Sequence, residues 1–156
     1  MHINELQACA LFEGLSNKQL TMLAPQFTRQ QCQAGEVVFS QGTRADKAYV
    51  LEDGRVHLCF RPDDGGWIMI ATLTEPGYIF GWSAVLGHSQ YSSSAICLKD
   101  TVIWQVSGAD LRAAFRADAG LSVLFNRMML SVAHRLSPER QCFAQWLQDT
   151  LNRAQP

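Results

Sequence analysis

Between Phe27 and Val106 the chain is cut into short β-branched and aromatic runs, most of them bounded by a glycine-bearing turn. Val37-Val38-Phe39 follows Ala34-Gly35-Glu36 and stops at Gln41-Gly42. Lys47-Ala48-Tyr49-Val50-Leu51 runs into Asp53-Gly54, and Arg55–Phe60 begins directly after it. A second tight turn, Asp63-Asp64-Gly65-Gly66, precedes Trp67–Leu73. Ser92–Cys97 and Thr101–Val106 close the series through Lys99-Asp100. Runs this short and evenly spaced cannot make a helical core. They predict an antiparallel β-roll or β-sandwich. Asp-Gly between two such runs is the signature of a β-hairpin, expected here at Asp53-Gly54.

The two ends of the chain have helical periodicity instead. Ser16 is placed to cap a short amphipathic helix through Leu20 and Leu23, and Pro25 ends it. Ser107 or Asp110 opens a second helical region. Within it Phe125, Met129, Val132, Leu136, Phe143, Trp146 and Leu147 recur close to heptad spacing. Ser137-Pro138-Glu139 interrupts that run with a fresh N-cap and an N1 proline, which predicts a kinked or broken helix.

The chain has 156 residues, 47% of them apolar, and a net charge of −1. One domain of this length can bury a core, so residues 1–156 are expected to form a single unit. Its parts are a helical arm (1–26), a β-roll (27–106) and C-terminal helices (107–151). The near-neutral charge argues against nucleic acid or an anionic membrane as partner. No apolar run reaches the ~18 residues of a membrane span, and Met1-His2-Ile3-Asn4-Glu5 is unlike a signal peptide. A cytoplasmic protein is expected. Five scattered cysteines without metal-ligand spacing (Cys9, Cys32, Cys59, Cys97, Cys142) read as reduced, mostly buried apolar residues.

Pro76–Ser94, which reads Pro-Gly-Tyr-Ile-Phe-Gly-Trp-Ser-Ala-Val-Leu-Gly-His-Ser-Gln-Tyr-Ser-Ser-Ser, resembles the phosphate-binding cassette of the cyclic-nucleotide-binding domain. The order and spacing of the surrounding turns extend the resemblance from Leu11 to about Leu151, to the sensor half of catabolite-activator-type regulators. That resemblance implies a mostly β fold with flanking helices, a jelly-roll-like double-stranded β-helix of about eight strands with a long C-terminal helix. In that family a Gly-Glu pair takes the ribose and an Arg-Ser pair takes the phosphate. Here Gly81 and Ser92 match, but Trp82 replaces the glutamate and Tyr91 the arginine. A phosphate monoanion in a partly buried site calls for a charged, preferably bidentate donor, and tyrosine offers one neutral O–H.

The resemblance implies a sensor whose candidate ligand residues are Gly81, Trp82, Ser83, Tyr91, Ser92 and Ser93, with Glu139 and Arg140 falling where the family's last helix touches the base. Trp82 is either a wall of a reshaped pocket or a plug that fills it. The resemblance also implies a homodimer through Met129, Val132, Leu136, Phe143 and Trp146. The family's DNA-binding winged helix would follow that helix, and Asn152–Pro156 are too few to build one.

No cofactor is expected. His57, His88 and His134, with Cys59, Met128 and Met129, are the residues a haem reading would draw on, and isolated histidines on strands are more often structural. Neither a nucleophile elbow nor a zinc-protease motif nor a phosphate-binding loop occurs, so the chain reads as a non-enzyme. The expected function is a regulatory domain that binds a non-nucleotide effector or a protein partner. The alternative is true cyclic AMP or cyclic GMP binding through altered contacts.

Overall fold

The computed structural model describes residues 2–63 and 65–133, with no side-chain description at 131–133. Leu136, Glu139, Arg140, Phe143, Trp146, His134, Cys142 and the expected break at Pro138 lie outside the described residues.

The N-terminal arm consists of α1 (Ile3–Ala8), a 3-10 turn (Ala10–Phe12) and α2 (Asn17–Leu23). Ser16 caps α2 reciprocally. Its hydroxyl accepts the Gln19 N–H, while the Gln19 carboxamide oxygen accepts the Ser16 N–H. Pro25 lies in a 3-10 turn (Ala24–Gln26) just beyond the end of α2.

Among the described residues eight strands follow, β1 (Thr28–Cys32), β2 (Val37–Phe39), β3 (Lys47–Asp53), β4 (Val56–Phe60), β5 (Ile68–Leu73), β6 (Ile79–Phe80), β7 (Ser94–Cys97) and β8 (Thr101–Ser107). They form two antiparallel four-stranded sheets, ordered β1-β8-β3-β6 and β2-β7-β4-β5. A short helix, α3 (Trp82–Leu86), interrupts the roll between β6 and β7, and α4 (Gly108–Ala117) and α5 (Ser122–Ala133) follow it.

The central strands of the first sheet, β3 and β8, carry buried residues on both faces, whereas β1 is mostly exposed. Along β3, Tyr49 and Leu51 point into the roll, while Ala48 and Val50 point toward the helices. On β8, Ile103 faces the roll, and Trp104 and Val106 face the helices. Strand alternation therefore divides one sheet between two cores. The outer core is completed by Leu6, Phe12, Leu20 and Leu23 of the arm and by Leu111, Leu124 and Met128 of α4 and α5. Met128 thus packs in the core.

Asp53-Gly54 does not make the expected hairpin. β3 pairs with β6 and β8, whereas β4 pairs with β5 and β7, so the dipeptide is a corner where the chain changes sheets. Gly54 is required there for two reasons. Its φ is +124°, and a Cβ would lie 2.7 Å from the Thr101 Cα. The antiparallel neighbours along the chain here are instead β4 and β5.

Candidate functional site

The cassette is built by backbone geometry that only its glycines allow. Gly81 precedes α3 in the left-handed conformation (φ +77°), and a Cβ there would come within 3.0 Å of the Lys47 carbonyl oxygen. Gly87 ends α3 at φ +80°, and the His88 N–H donates to the Ser83 carbonyl at 2.8 Å. The Ser92 N–H donates to the Ser83 hydroxyl at 3.3 Å, which ties the strand entrance to the helix.

A cavity of about 250 Å³ opens at this point. Gly81, Trp82, Ser83, Ser92 and Ser93 form its cassette side, and Phe39, Leu58, Ile70, Leu86, Tyr91 and Met129 form the rest. Ile70 reaches it through a β-bulge. The β4–β5 register steps from Leu58 opposite Ala71 to Cys59 opposite Met69, so Ile70 is the inserted residue. No charged side chain of the described residues lines the cavity.

Tyr91 and Trp82 are held very differently. Tyr91 is only 5% exposed, and its ring stacks on Phe39 at a centroid distance of 4.0 Å and an interplanar angle of 17°. Phe39, Tyr49 and Phe80 extend that stack through the roll interior. The Tyr91 hydroxyl donates to the Lys47 carbonyl at 2.7 Å and accepts the Lys47 N–H at 3.1 Å. Both hydroxyl functions are therefore engaged by strand β3. Burial, with Tyr91 beside it, pushes the Tyr49 phenol well above its usual range, as expected of a ring that stays neutral inside an apolar stack.

Trp82 is half-buried. One side packs against the helix-side core while the residue also lines the cavity, so it acts as a wall, and open volume remains beside it. Its indole N–H is buried and has no hydrogen-bond partner among the described residues. Met129 of α5 closes the cavity from the helix side and is itself 39% exposed.

The remaining sequence candidates are scattered. His57 lies on the outer face of the second sheet, opposite Ile96 and Thr72, because Val56 and Leu58 point inward. His88 is exposed after α3. Among the described residues no group of three or more His, Cys, Asp or Glu is placed to hold a metal ion. Cys9, Cys32, Cys59 and Cys97 are free thiols, and burial pushes Cys32 up to about 12, with Cys97 beside it adding to the effect. A larger groove of about 400 Å³ between the arm and the roll contains Glu5 and Glu52. Both carboxylates are already engaged, Glu5 by the His2 N–H and Glu52 by Arg29 at 2.7 Å, so the cassette cavity is the better candidate site. The sequence reading missed Phe39, Leu58, Ile70 and Leu86 as cavity residues. The bulge that turns Ile70 inward has no sequence signal.

Among the described residues no helix is long and apolar enough to cross a membrane. The cyclic nucleotide-binding domain family model matches residues 29–118, more than half of the chain. The cyclic AMP receptor protein of Thermus thermophilus is 31% identical over 132 residues, covering 85% of this chain and 56% of that protein. The chain thus spans little more than half the length of this relative. The solved structure of a Geobacter metallireducens protein of the cyclic-nucleotide-binding class is 27% identical, with a TM-score of 0.77 over 88% of this chain and 99% of the other. The guanosine-bound regulatory subunit of a cAMP-independent protein kinase A from Trypanosoma cruzi shares the fold, with a TM-score of 0.76, 15% identity, and coverage of 96% of this chain and 50% of that one. With the two-sheet roll, the glycine-framed cassette helix and the matched family model in agreement, the chain belongs to the cyclic nucleotide-binding domain family.

Proposed function

We propose that this chain is a cytoplasmic, non-enzymatic sensor domain whose cassette accepts an uncharged, largely apolar small molecule in place of a cyclic nucleotide. The observation that carries the reading is the engagement of Tyr91. At the position where the family's arginine would meet a phosphate, an aromatic ring is stacked into the core and its hydroxyl is bonded to the Lys47 backbone. An anion entering this cavity would lose its hydration without gaining a charged partner. A neutral ligand avoids that cost. The cavity of about 250 Å³ is below the ~300–1,000 Å³ usual for drug-sized ligands, which suits a single-ring or short-chain molecule. A carbonyl or hydroxyl on that molecule would supply the acceptor that the Trp82 N–H lacks. The trypanosomal structure, bound to a nucleoside without a phosphate, supports the view that this fold can hold an uncharged ligand.

Met129 connects the cavity to α5, where Val123 and Leu130 are 46% and 58% exposed. Occupancy would bias α5, and α5 would carry the response to a second copy of the chain through Met129, Val132 and the residues that follow. The test is native mass spectrometry of the purified protein under gentle desolvation. A bound neutral species of low mass, absent from Trp82→Ala, is the expected result. A cyclic nucleotide retained by the wild-type protein would overturn the reading. In sedimentation, Met129→Glu with Leu130→Glu should shift a dimer to monomer, and an unchanged dimer would place the interface elsewhere.

A further inference from the structure

Behind the cassette helix, on the side away from the cavity, a groove of about 340 Å³ lies between α3, α4 and α5. Its floor is apolar. Val85 of α3 is buried there, and Phe115 of α4 meets Phe125 of α5 edge to face, with centroids 5.6 Å apart and planes at 72°. Its rim is cationic. Arg112 and Arg116 stand one helical turn apart on α4, on the same face. Among the described residues neither arginine forms an ion pair with a carboxylate. We infer that this groove is a second small-molecule site that takes an apolar monocarboxylate, with an aromatic or short alkyl body on the phenylalanine floor and the carboxylate between the two guanidinium groups.

Charge complementarity selects the headgroup. Arginine binds planar oxyanions through two parallel N–H donors, and such charge-assisted bonds are the strong ones. The volume falls within the range of small-molecule pockets, and the floor supplies the apolar contact that a free inorganic anion would not use.

The site has a direct mechanical link to the cassette. Arg112 donates a hydrogen bond to the Ala84 carbonyl in the last turn of α3. Its Nε lies 3.7 Å from where a Cβ on Gly87 would stand. A carboxylate that engages Arg112 competes with Ala84 for the same donors and loosens the end of the helix that presents Trp82, Ser83 and Leu86 to the cassette cavity. An anionic metabolite bound behind α3 would thereby alter the site in front of it, with the reciprocal effect required by linkage.

The test is an NMR titration of amide-labelled protein with 3-phenylpropionate and, separately, with its uncharged analogue 3-phenylpropanol. The acid should give saturable shifts centred on Val85–Gly87, Arg112, Phe115, Arg116, Ser122 and Phe125. The alcohol should bind at least about tenfold more weakly, and Arg116→Gln should weaken the acid by a similar factor. Arg116 is exposed, so that variant keeps its fold, and Arg112→Gln is the second arm, expected to abolish the shifts at Ala84 and Gly87. Equal affinity for acid and alcohol, unaltered binding in Arg116→Gln, shifts confined to Ser92, Ser93 and Met129, or no saturable shift would each overturn the inference.

Discussion

Tyr91 and Trp82 face the same cavity, yet one is a pillar of the fold and the other is a wall. Tyr91 is stacked on Phe39 and bonded through its hydroxyl to both backbone groups of Lys47, so it joins the β7 entrance to β3 and belongs to the roll interior. Trp82 follows a left-handed glycine, leaves open volume beside it and keeps a buried N–H without a partner among the described residues. The two substitutions that separate this cassette from the nucleotide-binding pattern therefore differ in kind. The ring of Tyr91 is part of the interior packing, while the indole of Trp82 lines open volume. Two aromatic side chains on one cavity are thus held by different physical means, one by packing and hydrogen bonds and the other at an open edge.

The largest expected effect tests the pillar. Tyr91→Ala removes a buried ring from a four-ring stack and should cost about 3–5 kcal/mol in urea denaturation. A loss below about 1 kcal/mol would show that the stack contributes little and would dissolve the distinction.

Trp82→Ala comes next and should cost about 1–2 kcal/mol, since the side chain is only half-buried and the cavity already exists. A loss as large as that of Tyr91→Ala would make Trp82 a second pillar.

A finer test is Tyr91→Phe, which keeps the ring and strips the hydroxyl from Lys47. It should cost about 0.5–1.5 kcal/mol and raise hydrogen exchange at the Lys47 amide. Unchanged protection at Lys47 would mean that the hydroxyl does not hold the strand.

A separate test is a pH dependence in the same interior. The Cys32 thiol is raised from 9.0 to about 12, chiefly by burial. The folded state thus holds a proton that the unfolded chain releases first. This contribution is fully present below pH ~9 and is lost as pH rises from about 9 toward about 12. Cys32→Ala should flatten stability over that window, and an unaltered slope would assign the alkaline loss to other groups.

The cassette was legible through the resemblance at Gly81, which adopts a left-handed conformation that other residues rarely do, while the same role of Gly87 at the end of α3 went unread. The capping of α2 and α4 by Ser16 and Ser107 was legible for a similar local reason. What the sequence concealed depends on partners distant in the chain. Asp53-Gly54 carries a hairpin signature, but burial of β3 between two cores sends the chain to the other sheet. β1 is largely polar and becomes a strand through its pairing with β8. The role of Tyr91 rests on Phe39 and Lys47, which belong to earlier strands, and no local pattern announces either contact.

Isothermal titration of the wild-type protein with cyclic AMP and cyclic GMP tests the central claim most directly. With Tyr91 committed to the core and no charged side chain of the described residues lining the cavity, no complex tighter than the millimolar range is expected for either nucleotide at physiological salt. A saturable complex with a low-micromolar dissociation constant for either one would contradict it.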